Sequence, residues 1–182
     1  MIPARIVALD ASHLDALRSF VGRLPEHDLT FIKEEVHGPG ALEAWCRGPE
    51  PARRWVALGG AGTVIGLAAV VPLIGWSAHV GDLRLVVDPA ARRRGLGAAL
   101  ARHALREAVA MGLRKLVVEV VAEQTGAVQM FTDLGFRGEA LLTCHVRDRT
   151  GELRDLLLLA HDVDEEWSAM ASLGVEDELR RR

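Results

Sequence analysis

Apolar positions along this chain recur in two periods, and the two alternate from one end to the other. Residues 4–9 alternate as a short strand does. Ser12, with Asp15 three residues on, then opens a helix carrying Leu14, Leu17, Val21 and Leu24 at helical spacing, and Pro25 marks its end. Residues 26–36 mix both patterns and are expected to be partly helical, before Gly38-Pro39-Gly40 and a short helix with Leu42, Trp45 and Cys46. Residues 54–58 and 63–71 predict two strands joined through Gly59-Gly60-Ala61-Gly62, and residues 80–87 a third. A long helix is expected over 97–111, with Leu100, Ala104, Ala108 and Met111 on one stripe and Gly112 as its stop. The unbroken apolar run 116–121 predicts a strand buried on both faces. A helix over 125–134 follows, then a hairpin of 141–147 and 153–160 around residues 148–152. Alternating strands and helices that end in a hairpin point to an α/β fold.

Composition narrows this to one core. The chain has 182 residues, 49% of them hydrophobic and 26% charged, enough apolar surface to fold without disulfides or metals. Residues 1–163 are expected to form a single domain. Residues 164–182 form a polar tail in which Trp167, Met170 and Leu173 predict a short helix covering the domain's own sheet or that of a second subunit in a homodimer. Cys46 and Cys144 are too few for a disulfide framework or a zinc site, and no metal is expected. No apolar run resembles a signal core or a membrane span, so the expected location is the cytoplasm, with no membrane partner. A net charge of −3 argues against nucleic acid as a partner, because the arginines at 92–94 are a local concentration and not a broad basic face.

The candidate chemistry lies where the third strand runs into the long helix, through Val87-Asp88-Pro89-Ala90-Ala91-Arg92-Arg93-Arg94-Gly95-Leu96-Gly97-Ala98. Backbone N–H groups at a helix N-terminus are unpaired and carry the positive end of the helix dipole, so a glycine turn there favours a closely held anion. Gly95 and Gly97 are expected to leave room for a diphosphate. A P-loop would need Lys-Ser or Lys-Thr after its last glycine, where Ala98 and Ala99 stand, and a dinucleotide turn would need a small residue where Leu100 stands.

Arg92-x-x-Gly95-x-Gly97 after a Val87-x-Pro89 strand exit resembles the GNAT superfamily of N-acetyltransferases. So does Gln124-x-x-Ala127-x-x-x-Phe131-x-x-Leu134-Gly135-Phe136, although Gln124 replaces the usual Asn and Phe131 the usual Tyr. The resemblance implies a mixed, mostly antiparallel central sheet flanked by helices and splayed at an acetyl-CoA site. It implies a pyrophosphate held by the N–H groups of Arg93, Arg94, Gly95, Leu96, Gly97 and Ala98, with charge from Arg92 to Arg94. A pantetheine arm would run along Leu85, Val86 and Val87, with Gln124 and Phe131 beside it. Direct transfer of acetyl to an amine would then need a base. Asp82 holds the place at which phosphinothricin-acetyltransferase-like members carry a glutamate, although it equally suits a pairing with Arg84; His79 and Glu119 are the alternatives. The general acid of many members is the tyrosine at the Phe131 position, and this chain contains no tyrosine.

In that superfamily the segment after the first helix and the final hairpin frame the acceptor, which points to Phe31, Glu34, Glu35 and Asp155. The acceptor implied is an amine of a small molecule or amino acid. A peptide acceptor, either a protein N-terminus or a lysine, and a CoA-binding regulator without turnover are the alternatives.

Overall fold

The computed structural model describes residues 5–30, 32–34, 36–48 and 52–163; Phe31, Glu35 and the tail from 164 lie outside the described residues. Seven strands make one sheet: β1 (Arg5–Ala8), β2 (Arg53–Leu58), β3 (Val64–Pro72), β4 (Val80–Val87), β5 (Lys115–Val121), β6 (Arg137–Arg147) and β7 (Leu153–Asp162). Their spatial order is β1-β2-β3-β4-β5-β7-β6. All neighbours are antiparallel except β4 and β5, which are parallel and joined by a helical crossover. The helices are α1 (Leu14–Val21), α2 (Glu26–Thr30), α3 (Ala41–Arg47), α4 (Leu96–Ala110) and α5 (Thr125–Asp133). This is the mixed, mostly antiparallel sheet flanked by helices that the motifs imply.

Helices cover both faces. On one, Leu17 and Phe20 of α1 and Trp45 of α3 pack with Val56, Val64 and Leu67 of the sheet. On the other, Ala101, Ala104, Leu105 and Ala108 of α4 are fully buried in a core shared with Leu83, Leu116 and Val118, and Phe131 and Leu134 extend it at α5. The alanines bring α4 close to the strands. The helix stops as expected: Gly112 sits at φ +75°, its N–H donates to Val109 O at 2.8 Å, and Leu113 N–H donates to Ala108 O at 3.0 Å. At α1 the expectation is corrected: Asp10, and not Ser12, caps the turn that leads into the helix, and His13 at the start of the helix itself makes no side-chain cap. The Asp10 carboxylate accepts from Ser12 N–H at 2.9 Å and a 3-10 turn, Ala11–His13, leads into the helix. A full negative charge there opposes the helix dipole better than a hydroxyl does. Among the described residues no helix is long and apolar enough to cross a membrane.

One irregularity positions the site. β4 pairs with β5 only at Val80↔Lys115, Gly81↔Leu116 and Asp82↔Val117, after which β4 continues to Val87 beside β3 while β5 continues to Val121 beside β7. The sheet therefore opens as a wedge past Asp82. Gly81 is needed at the closed end, since a Cβ there would lie 2.7 Å from Leu113 and 2.8 Å from Leu116.

Candidate active site

Inside the wedge, β4 offers bare backbone. Val80 C=O accepts from Leu73 N–H at 2.8 Å and Asp88 N–H donates to Ile65 O at 3.0 Å, so even-numbered residues of β4 turn their polar groups toward β3. Leu85 and Val87 turn theirs the other way, into the gap that β5 has left. The Val87 carbonyl is taken by Arg92 Nε at 3.1 Å. Leu85 has no strand partner on that side among the described residues, and a ligand carrying an amide or thioester can pair with it as a further strand would.

The wedge ends at the glycine turn, which is braced from behind. The Asp88 carboxylate accepts from Ala90 N–H at 3.0 Å and from Arg23 Nε at 3.1 Å, holding the Pro89–Ala91 turn. Arg92, expected among the phosphate ligands, points inward and pairs with buried Asp28 as well as with Val87 O. Arg93 (φ +57°) and Arg94 stay exposed. Gly95 caps α4 at φ +81°, in open space and in a conformation that glycine alone adopts without strain. A Cβ at Gly97 would meet Met130 Sδ at 2.8 Å, so the missing side chain lets α5 approach α4. Leu96 is buried and can offer only its backbone, and Ala98 lines an open groove between α4 and α5 together with Arg102, Gly126 and Met130.

The remaining residues expected beside the donor are placed by α5. Gln124 is half-buried at its N-terminus, where its carbonyl accepts from Ala127 and Val128 N–H and its side chain caps nothing. Phe131 is a core residue, 3% exposed and edge-on to Phe136 at 5.2 Å, which leaves its ring almost no surface for a ligand. Without a hydroxyl to satisfy, the ring gains by turning inward.

On the opposite face of the wedge lies a network of alternating charge. Side chains alternate across a strand, so Asp82 and Arg84 face away from Leu83 and the α4 core, and Glu119 faces away from Val118 and Val120. Lys33, from the segment after α2, reaches between them, with Nζ 3.0 Å from Asp82 Oδ2 and 2.9 Å from Glu119 Oε2. Arg84 Nε is 3.0 Å from the same Asp82 oxygen; Arg84 also pairs with Glu34, which accepts from Arg54 at 2.8 Å. The guanidinium of Arg54 lies over the Trp45 ring, 5.2 Å from its centroid. Asp82 and Glu119 are thus brought together. Asp82 does make the expected pair with Arg84, yet its buried Oδ1 has no hydrogen-bond partner among the described residues. His79 lies apart, exposed before the closed end of β4. Lys33 and Arg54 were invisible to motif reasoning, since Lys33 lies 49 residues from Asp82 and Arg54 lies 20 residues from Glu34.

Beside this network a cleft of about 290 Å³ runs between Leu29, Ile32, Lys33, Glu34 and Val36 on one side and Arg147, Asp148 and Arg149 on the other. Arg149 pairs with Glu26 of α2 at 2.6 Å and ties the hairpin to that side. Asp155, expected at the acceptor, instead holds the hairpin together: its carboxylate accepts from Cys144 N–H at 2.8 Å, where Cys144 takes a left-handed φ of +52° and β6 slips register against β7. Asp155→Ala should lower stability by about 1 kcal/mol, read as a reduced melting temperature.

The Thr150 hydroxyl, helped by the N–H groups of Glu152 and Thr150 and by Arg154, holds the Asp148 carboxyl down at about 2. An aspartate of the unfolded chain titrates near ~3.9, so the unfolded state binds the proton first as pH falls. The stabilisation is complete above that value and is lost as pH falls through about 2. Melting curves between neutral and strongly acid pH should show this loss in the wild type and a smaller one in Asp148→Asn.

A family model described as the acetyltransferase (GNAT) family matches residues 20–136. The chain belongs to the GNAT acetyltransferase family. Over 59 residues it is 41% identical to mycothiol acetyltransferase of Amycolatopsis mediterranei, a stretch covering 32% of this chain and 20% of that protein. Two solved structures share the GNAT fold over most of both chains. Spermidine N-acetyltransferase of Vibrio cholerae, in complex with CoA and spermine, superposes with a TM-score of 0.74 at 19% identity, covering 88% of this chain and 95% of that one. YncA of Salmonella typhimurium, with its cofactor acetyl-CoA, gives 0.74 at 19% identity over 89% and 95%.

Proposed function

We propose that this GNAT protein moves the acetyl group of acetyl-CoA directly to the amine of a small molecule, and that an amino acid suits its cleft better than a polyamine. The observation that carries the reading is the buried, unpartnered Oδ1 of Asp82 at the point where β4 and β5 part. A buried acceptor without a donor costs about 1–3 kcal/mol, which an incoming ammonium or an ordered water recovers. The Leu85 edge and the turn at Arg93 to Ala98 suit the donor, whose thioester supplies the activated acetyl group; CoA and acetyl-CoA are bound by the Vibrio and Salmonella neighbours.

With donor and amine in place, Asp82 takes the amine's proton, directly or through one water. Glu119 lies across the wedge as the alternative base. The amine nitrogen bonds to the acetyl carbon while Leu85 N–H steadies the oxygen that gains charge, a contribution of about 10²–10³ for such a donor elsewhere. The C–S bond then breaks. A thiol of pKa near ~8.5 is a fair leaving group and takes its proton from water, so the absent tyrosine is not required.

Charge selects the acceptor. Glu34 and Asp148 in the cleft are already paired to arginines, whereas Arg147 has no ion-pair partner among the described residues. A polycation gains little there, while a carboxylate on the acceptor gains Arg147. The Arg149–Glu26 pair across the cleft also disfavours a peptide laid through it. Release of CoA thiol should be measured with amino acids, polyamines, amino sugars and peptides. Turnover at least about tenfold faster on an amino acid is expected, equal to ~1.4 kcal/mol in transition-state binding; preference for polyamines or peptides would overturn the acceptor reading.

A further inference from the structure

Lys33 stands where an acceptor amine would have to stand. Its Nζ is within hydrogen-bond distance of both carboxylates that can serve as base, 3.0 Å from Asp82 and 2.9 Å from Glu119, and it bridges β4 and β5 at the opening of the wedge. Residue type adds a second, independent observation. Of the 22 lysines and arginines in the chain, only Lys33 and Lys115 are lysines. An arginine would pair with two carboxylates at least as well through its planar fork, but its guanidinium stays protonated and is no nucleophile, whereas a lysine that gives up its proton becomes one. The side chain is about one-third exposed, so it is not sealed off by the fold.

We infer that Lys33 is a self-acetylation site, modified within the same molecule; this rests on the acetyl-CoA reading above. Asp82 or Glu119 accepts a proton from the Lys33 ammonium, Nζ bonds to the acetyl carbon, and the C–S bond breaks to release CoA thiolate, which takes a proton from water. The product is Nε-acetyl-lysine and free CoA, with no oxidant or reductant involved. Acetylation removes the cation from between the two carboxylates and leaves both open to an external amine.

The test uses the full chain, purified and stripped of any acetyl groups by a deacetylase, then incubated with acetyl-CoA alone and mapped by peptide mass spectrometry. Lys33 should gain one acetyl group at a rate per molecule that does not change with protein concentration. Lys115, held by Glu139 at 2.5 Å and 29% exposed, should stay unmodified and reports any direct chemical acetylation. Lys33→Arg should abolish the modification while Lys115→Arg leaves it intact, and Asp82→Asn together with Glu119→Gln should slow it about 10²-fold. The melting shift caused by acetyl-CoA is read in parallel. A shift with Lys33 left unmodified overturns self-acetylation and spares the donor site. Equal labelling of Lys33 and Lys115 that survives the double substitution overturns it as well. Absence of any shift in the wild type removes the donor reading and this inference with it.

Discussion

Turnover in Asp82→Asn should fall by about 10²–10⁴-fold, the range over which a positioned general base contributes. Asparagine keeps the size of the side chain and can still meet Lys33 and Arg84 through its amide oxygen, so the loss reads proton acceptance and not the shape of the site. The melting shift with acetyl-CoA should be unchanged, because the wedge edge at Leu85 and the glycine turn are untouched. Part of the rate should return at high pH, where more of the free amine exists without help. An unaltered rate and profile would transfer the role to Glu119, whose carboxylate shares Lys33 with Asp82, and Glu119→Gln should then show the larger loss.

The largest effect on stability is expected at Phe136. It is 1% exposed, edge-on to Phe131 of α5 at 5.2 Å and to His161 of β7 at 5.2 Å, so one ring joins the helix to the sheet. Phe136→Ala should cost about 3–5 kcal/mol through lost burial and the cavity left behind. Against a total of about 5–15 kcal/mol for a domain, that is a large share. Denaturant titration would show a lower midpoint with the slope retained. Leu141→Ala provides the contrast, because Leu141 is 55% exposed on the edge strand and should change stability by no more than about 0.5 kcal/mol. Since Phe131 belongs to the helix beside the proposed donor site, Phe136→Ala should also weaken acetyl-CoA binding at temperatures where the protein remains folded.

What could be seen in the sequence follows the range of the interactions involved. The limits of β4 were predictable because its strand-like stretch ends on Val86-Val87 before the Asp88-Pro89 turn, and the end of α4 because Gly112 has one local task. β6 begins at Arg137 and not at residue 141, since Gly138 carries little strand preference and is held there, with Arg137 and Ala140, by pairing with β7, while Glu139 sits at a register shift. The turn from Arg92 to Gly97 is a local motif, but the partner of Arg92 is Asp28, far away in the chain, and the side chain that packs over Gly97 is that of Met130. The charge network around Asp82 is built from groups that meet only after folding. Glu34, expected to face the acceptor, is held by two arginines, and Lys33 has no local pattern to mark it. Asp155, expected near the acceptor, accepts from a backbone N–H of the neighbouring strand, a partner that only the folded hairpin supplies.

The central claim is that acetyl-CoA lies along the freed edge of β4 and against the turn before α4. Backbone amide signals of ¹⁵N-labelled protein, followed through a titration with acetyl-CoA, test it most directly. The largest shifts should fall on Leu85 and on Arg93 to Ala98, with smaller ones at the start of α5 and none at the exposed Leu141 edge. Shifts concentrated elsewhere, or no saturable change at all, would contradict the assignment of this wedge as the donor site.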